Sequence, residues 1–489
     1  ASPQQSASPQ PSASPQPSAS RQPSASPQPS ASATSADTSS QATTFDEAFG
    51  RGWDAASEQR YQDAITEYTQ AIRLKPNDAL VYNDRGIVYL ALRQYTQALE
   101  DFSEAIRLKP DFAEAYNDRG NVYTALNQHE QAIADYSEAV HFKADLVEAY
   151  FNRAWNYGAL KKYDEDMADC NSVILINVNF WNAYFERGNA SYAVRHFNEA
   201  IADYNQTIFL HPSAEAYNNR GNAYRALKQY NFAVTDYSEA IRLRPDFAEA
   251  YANRGYIHDA INQPAEALLD YNSALQNKPD FAEAYDGRGN TYAALGQYDN
   301  AVVDYTQAIR LAPSFALGYF DRAVAYDALE RHDEALADYS EAARLMPASA
   351  EAYYDRGLGY IALLQYDKAA ASFSEAIRLK PDYVEAFYNR AAANAALKRY
   401  DKSIADYTEV IRLKSAFADA YNGRGQVYNA LKQYGKAIAD LSEAIRQKTD
   451  FAEAYYNRAL AYDALGQHDK AATDYTEVIR LKKGDRASH

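Results

Sequence analysis

Histidine and cysteine would serve metal or nucleophilic chemistry best, and this 489-residue chain has eight of the first and one of the second. They do not gather. There is no His-Glu-x-x-His and no Cys/His cluster, and Cys170, being alone, forms no disulfide within the chain. No Gly-rich loop could cradle a phosphate, because the recurring Arg-Gly pairs, such as Arg119-Gly120 and Arg288-Gly289, fall inside helical patterns. Catalysis, metals and cofactors are therefore not expected. What recurs is an Arg followed sixteen residues later by an acid: Arg85 and Asp101, Arg119 and Asp135, Arg288 and Asp304, Arg458 and Asp474. From Arg51 to Arg458 that Arg appears thirteen times, with Glu67 or Ser372 replacing the Asp in two places. One reading is a structural ladder, with the stem packed and the head paired to a carboxylate. The other is a site for phosphates or acids.

The elements that carry this pattern repeat. Asp280 to Pro313, DFAEAYDGRGNTYAALGQYDNAVVDYTQAIRLAP, recurs in variants from Asp46 to Lys483, almost always 34 residues apart. Within it Tyr285, Tyr292 and Leu295 follow helical spacing, and so do Val302, Tyr305, Ala308 and Ile309. Gly296 marks the break between them and Pro313 closes the unit. Each unit is thus a helix-turn-helix, a helix A and a helix B, whose apolar faces are buried only by stacking on neighbours. The prediction is an all-α solenoid over residues 45–483, preceded by an arm (1–44) and followed by a short tail (484–489) without a capping helix. Asp166 stands out, since other copies place Ala or Ser there. A carboxylate at a helix crossing predicts local irregularity or a specific contact. Between His211 and Glu215 the spacing drops to 33, and Pro264 is expected in the inter-helix turn.

Tyr285, Gly289, Tyr292, Ala301, Tyr305, Ala308 and Pro313 closely resemble the tetratricopeptide repeat (TPR) pattern, over some thirteen copies. The resemblance implies a right-handed superhelix whose A helices line a groove for extended peptides. The matching groove positions are Asn83, Asn117, Phe151, Phe185, Asn218, Asp286, Phe320, Tyr354, Tyr388, Asn422 and Tyr456. Four residues on, the same face carries Asn121, Trp155, Asn189, Asn222 and Asn290. Amides can pair with any extended backbone and aromatics can stack on prolines; alternatively the Asn side chains are simply solvated. The arrangement is similar to the asparagine ladder of the O-GlcNAc transferase superhelix, without that family's catalytic domain. No Lys stands at the listed positions, unlike the chaperone adaptors that clamp a C-terminal carboxylate.

The formal charge is −17 and the arm holds only Arg21 and Asp37 as charges before Asp46, so the acidity belongs to the solenoid and argues against nucleic acid or an anionic membrane as partner. No apolar run spans a bilayer. The arm is built on ASPQPS hexads, among them Ala7 to Ser12 and Ala25 to Ser30, which favours extended polyproline II. Ala1 followed by this Ser/Pro stretch fits a mature exported protein, and extracellular or cell-surface location is expected. Asn189 and Asn205 lie in N-x-S/T sequons and are candidate glycan acceptors. A neutral, proline-rich arm beside an Asn- and aromatic-lined groove, with an uncapped last repeat, suggests head-to-tail insertion of the arm into the next copy. The expected function is a non-catalytic interaction scaffold, foremost a self-assembling structural fibre subunit. The alternative is a monomeric adaptor for an extended segment of another protein, with the arm as tether or self-inhibitor.

Overall fold

The structure, a computed structural model, describes residues 43–487, with side chains through Lys482. The extended arm expected over residues 1–44 lies, up to residue 42, outside the described residues. The rest is helical. Among the described residues there are twenty-six helices in thirteen pairs, from α1 (Phe45–Ser57) and α2 (Tyr61–Leu74) to α25 (Ala452–Ala464) and α26 (His468–Ala487). The chain divides into two compact units, one ending at Ile257 and one beginning at His258. Each is an all-α right-handed solenoid of stacked helix pairs.

Helix A ends in the same way in every pair. At α5 (Ala113–Ala125), Asn127 turns left-handed at φ 55°, its N–H donates to the Thr124 carbonyl and the next N–H, of Gln128, reaches the Tyr123 carbonyl. This closes the last turn and starts α6 (His129–Phe142) antiparallel to α5. Gly296 and Gly466 take this conformation freely, whereas Lys161, Lys228 and Leu364 adopt it against their side chains. Pro264 is not in the turn but at the first residue of its helix, where a missing N–H costs nothing. The short spacing near His211 is absorbed in the connection, where Ser213 caps α11 (Ala214–Ala226) by accepting from the Ala216 N–H. The last helix also departs from expectation. It runs past Lys483, which stands where Pro313 follows its helix B, to Ala487.

The core is a row of aromatics from the B helices. Tyr136, Tyr204, Tyr237 and Tyr305 are fully buried against glycines of helix A. A Cβ on Gly120 would lie 2.7 Å from the Tyr136 ring, so the close crossing requires glycine there.

The recurrent Arg has the structural role. Arg220 on α11 donates through Nε and Nη2 to both carboxylate oxygens of Asp236 on α12 (Tyr230–Leu243), at 2.8 and 2.6 Å. Its third arm, Nη1, reaches back to Asn205 on the preceding helix B, α10 (Phe197–Leu210). Arg85, Arg119 and Arg153 in the first unit and Arg322, Arg390 and Arg458 in the second repeat the fork, each with a Thr or Ser of the preceding helix B as third partner. Each of these Arg side chains also lies over an aromatic ring of its own helix, as Arg119 does over Tyr116 at 5.6 Å and Arg390 over Phe387 at 5.3 Å. Removing one partner strands a largely buried charge. Asp236→Ala is expected to cost about 3–5 kcal/mol, whereas Arg220→Met with Asp236→Leu loses far less. Urea unfolding of the three proteins checks this, with exchange of amide hydrogens showing the loss confined to neighbouring repeats.

Candidate functional site

Within each unit, successive A helices touch along one side and successive B helices do not, so the A helices form the inner face. The asparagines on that face are largely committed to one another. In the first unit Asn117, on α5, is buried, and its Oδ1 faces the Asn152 amide of α7 (Val147–Ala159) at 3.4 Å. Asn83, on α3 (Ala79–Ala91), reaches Asp118 at 3.4 Å, and Asn218 accepts from Asn253, on α13 (Ala248–Ala260), at 3.1 Å. In the second unit Asn422, on α23 (Ala418–Ala430), accepts from Asn457, on α25, at 3.0 Å. One rule covers all four: the Asn of one helix A meets the next helix A thirty-five residues later.

The second row of asparagines has a different task. The oxygens of Asn121, Asn189, Asn222 and Asn290 accept from the hydroxyls of Tyr136, Tyr204, Tyr237 and Tyr305 at 2.8–2.9 Å. A buried phenol must find an acceptor. Where this Asn is absent, Asp259, Asp327 and Asp463 receive the hydroxyls of Tyr271, Tyr339 and Tyr475. Where helix B carries Phe102 or Phe373 instead, helix A carries Ile87 or Leu358. The signal was therefore in the chain, as a co-occurrence of Tyr and Asn fifteen residues apart.

Phe151 and Phe185 are buried, against Phe180 and Tyr204 respectively, and Trp155 lies half-buried beside His129. Asp286 is buried and accepts from Asn290 at 3.2 Å. Phe320, Tyr354, Tyr388 and Tyr456 lie against the aromatics of their own B helices, at 5.7–6.1 Å between rings. Of the two sequons, Asn205 is exposed, with its oxygen held by Arg220. Asn189 also accepts from Asn219, and its nitrogen, the atom a glycan would use, faces buried Glu186 at 3.4 Å.

The pair around Asp166 departs from the rest in chemistry, not in helix length. α7, α8 (Tyr163–Ile176) and α9 (Trp181–Ala193) keep the regular 13, 14 and 13 residues. Asp166 is 1% exposed and accepts from the Cys170 thiol at 3.4 Å. A Cβ on Gly158 would lie 2.8 Å from Asp166 Oδ2 and 3.4 Å from Glu186 Oε1, so both carboxyl groups converge on that glycine. Burial first, then the charge of Glu186, pushes the Asp166 pKa up to about 9, and burial pushes the Cys170 thiol up as well. Asp166 is thus a protonated acid at neutral pH, and Cys170 an inert buried thiol.

Among the described residues no group of His, Cys, Asp and Glu could hold a metal ion, and no helix is long and apolar enough to cross a membrane. The TPR repeat model matches residues 56–93, 221–262, 289–329 and 425–466. Further tetratricopeptide-repeat models match 83–146, 185–231 and 354–416, then 248–281 and 316–348, and finally 452–485. The chain is a tetratricopeptide-repeat protein. The matched stretches of this TPR solenoid omit 147–184, the pair that holds Asp166 and Cys170. No curated protein matches the chain. Solved structures similar to it include the Cut9–Hcn1 hetero-tetramer of the APC/C, at 17% identity over 86% of this chain and 96% of that one, with a TM-score of 0.39. YrrB, described as a TPR protein with an unusual peptide-binding site, is 23% identical over 37% of this chain and 92% of its own, at 0.35. A TPR protein from Parabacteroides merdae is 16% identical over 52% and 98%, at 0.41.

Two outcomes follow from these contacts. Asn222→Leu leaves the Tyr237 hydroxyl buried without an acceptor and is expected to cost about 1–3 kcal/mol; adding Tyr237→Phe restores most of it, and thermal unfolding of the single and double variants measures both. For Asp166, an unfolded carboxyl titrates near 4 and the folded one near 9. The folded state therefore holds the extra proton between those values, and its stability falls as pH rises from about 4 towards 9. Asp166→Ala is expected to flatten that slope and to be the more stable protein at pH 8, read from urea midpoints by the fluorescence of neighbouring Trp155 and Trp181.

Proposed function

We propose that this non-catalytic TPR scaffold acts as an adaptor, binding an extended segment of another protein along the inner face of its second unit. The first unit spends its inner amides on itself. The second leaves apolar side chains open on that face: Val324 on α17 (Ala316–Ala328), Leu358 on α19 (Ala350–Ala362) and Leu460 on α25 are about two-fifths exposed, and Tyr456 is 47% exposed. Val324, Leu358 and Leu460 share one register position of helix A, which Ala392 and Gln426 occupy in the two A helices between α19 and α25, so an extended chain would meet apolar side chains at both ends of this row. This open row carries the reading.

The same face bears on the arm-exchanged fibre. Its ionisable side chains on α17–α25 are acidic, from Asp321 and Asp355 to Glu385 and Glu453, and a nearly neutral Ser/Pro/Gln arm brings no complement to them. Self-assembly, export and glycans thus have less behind them than capture of a foreign segment.

The reading is tested with the full chain against immobilised peptides of varied composition. Bound peptide is expected to slow amide exchange on α17, α19 and α25. The triple variant Val324→Ser, Leu358→Ser, Leu460→Ser should weaken binding about tenfold or more, while Leu175→Ser and Phe209→Ser on B helices leave it unchanged. Protection confined to B helices, or binding indifferent to the triple change, overturns it.

A further inference from the structure

At the sixth residue of helix A the other repeats have a solution that α17 and α19 lack. There Asp118 accepts from Asn83 and Asn117, and Asn253 and Asn457 donate to the Asn of the preceding helix A. The equivalent residues of α17 and α19 are Asp321 and Asp355. One repeat earlier stand Asp286 on α15 (Ala282–Ala294) and Phe320, where donating amides stand elsewhere. A carboxylate does not donate to another unless protonated, and a phenyl ring does not donate at all. Among the described residues neither Asp321 nor Asp355 has a hydrogen bond or ion pair. On α21 (Val384–Ala396) the series resumes, with Asn389 donating to the Tyr354 hydroxyl at 2.9 Å.

The surroundings of Asp355 add charge of the same sign. Burial holds both carboxyls up at about 6, and Glu351 and Asp327 push Asp355 further in that direction. No Lys or Arg stands among the inner-face residues of α17–α25. The recurrent Arg322 and Arg390 point the other way, into forks with Asp338 and Asp406 of the B helices, and Arg356 donates through Nε to Ser372. Beside the two acids lie Phe320 and Tyr354, with Val324 and Leu358 one turn on. Partly buried carboxylates without a partner, next in the chain to Phe320 and Tyr354, attract a cation.

We propose that the inner face of α17–α21 recognises a lysine- or arginine-bearing extended polypeptide segment, the cation lying between Asp321 and Asp355 and the apolar residues beside it resting on Phe320, Tyr354 and Leu358. The inference rests on the segment-binding reading and adds the chemistry of the partner.

The test uses the full chain and two fluorescein-labelled peptides of about twelve residues, Gly-Lys-Leu repeated and Gly-Gln-Leu repeated. The lysine probe is expected to bind about tenfold or more tightly than the glutamine probe, and Asp321→Asn with Asp355→Asn to bring the two level. Both substitutions keep the shape of the side chain, so folding is preserved. Glu409→Gln with Glu443→Gln, on B helices, where each pairs with an Arg three residues on, controls for the net charge and is expected to leave the lysine preference unchanged. If the Asp variant retains the full lysine preference, or the B-helix control abolishes it, the proposal is overturned. If both probes bind equally and both weaken in Val324→Ser with Leu358→Ser, the cation preference falls and segment binding stands. If neither probe binds, both fall together.

Discussion

The guanidinium of the recurrent arginine is the contact on which the stacking depends. A helix pair has too little apolar surface to fold alone, so whatever ties one pair to the next sets the cooperativity of the whole array. The Arg does this with one planar group. Two nitrogens hold the carboxylate of its own helix B and the third takes a hydroxyl or amide from the helix B before it. Lysine could not do so, because a point charge has no fork to divide between two helices. The first repeat shows the limit of the device, since Arg51 pairs with Glu67 at a half-exposed position and no earlier helix is described to complete it. A carboxylate that accepts a bidentate Arg is stable where water is scarce, which explains why Asp101, Asp135 and Asp236 are buried as charged partners while Asp166, without one, is neutral.

A second layer of polar contacts lies inside that frame. A tyrosine at the helix B core position brings a hydroxyl that needs an acceptor, and in seven repeats this chain supplies one from either of two places on helix A, an Asn or an Asp three residues on. The inner amides of neighbouring A helices then pair along the stack. These contacts contribute little each, yet leaving any of them half-made is costly, so the asparagines behave as structural residues.

Against this economy the second unit looks different for a physical reason. Several of its A helices carry Phe320, Tyr354, Tyr388 and Tyr456 in place of the inner Asn, of which Tyr354 still accepts from Asn389, and two acids there lack the donors found elsewhere. Stability has been given up there on the inner face, where the proposed segment would lie. The buried acid pair near Gly158 gives up stability differently, because no bound chain can reach it; the pair is enclosed by α7, α8 and α9 and answers to protons alone.

The period, the two helices per unit, the all-α solenoid and the Arg–Asp pairing could be read from the amino acids, since each depends on residues close in the chain or on a repeat interval that the chain displays thirteen times, while the right-handed sense came from the resemblance to the tetratricopeptide repeat family. The role of the asparagines could not be read that way, although their spacing to tyrosine was visible, because groove-lining and core-satisfying Asn residues have the same helical phase. Only the packed structure shows that Asn121 and Asn222 face a phenol and that Asn117 faces the next helix. Likewise, Asp166 was marked by its sequence as an intruder, but that it shares Gly158 with Glu186 depends on how three helices cross. Local pattern determines which face of a helix is buried; which polar group on that face meets a partner, and which is left for another molecule, is decided by distances between helices that no single repeat contains.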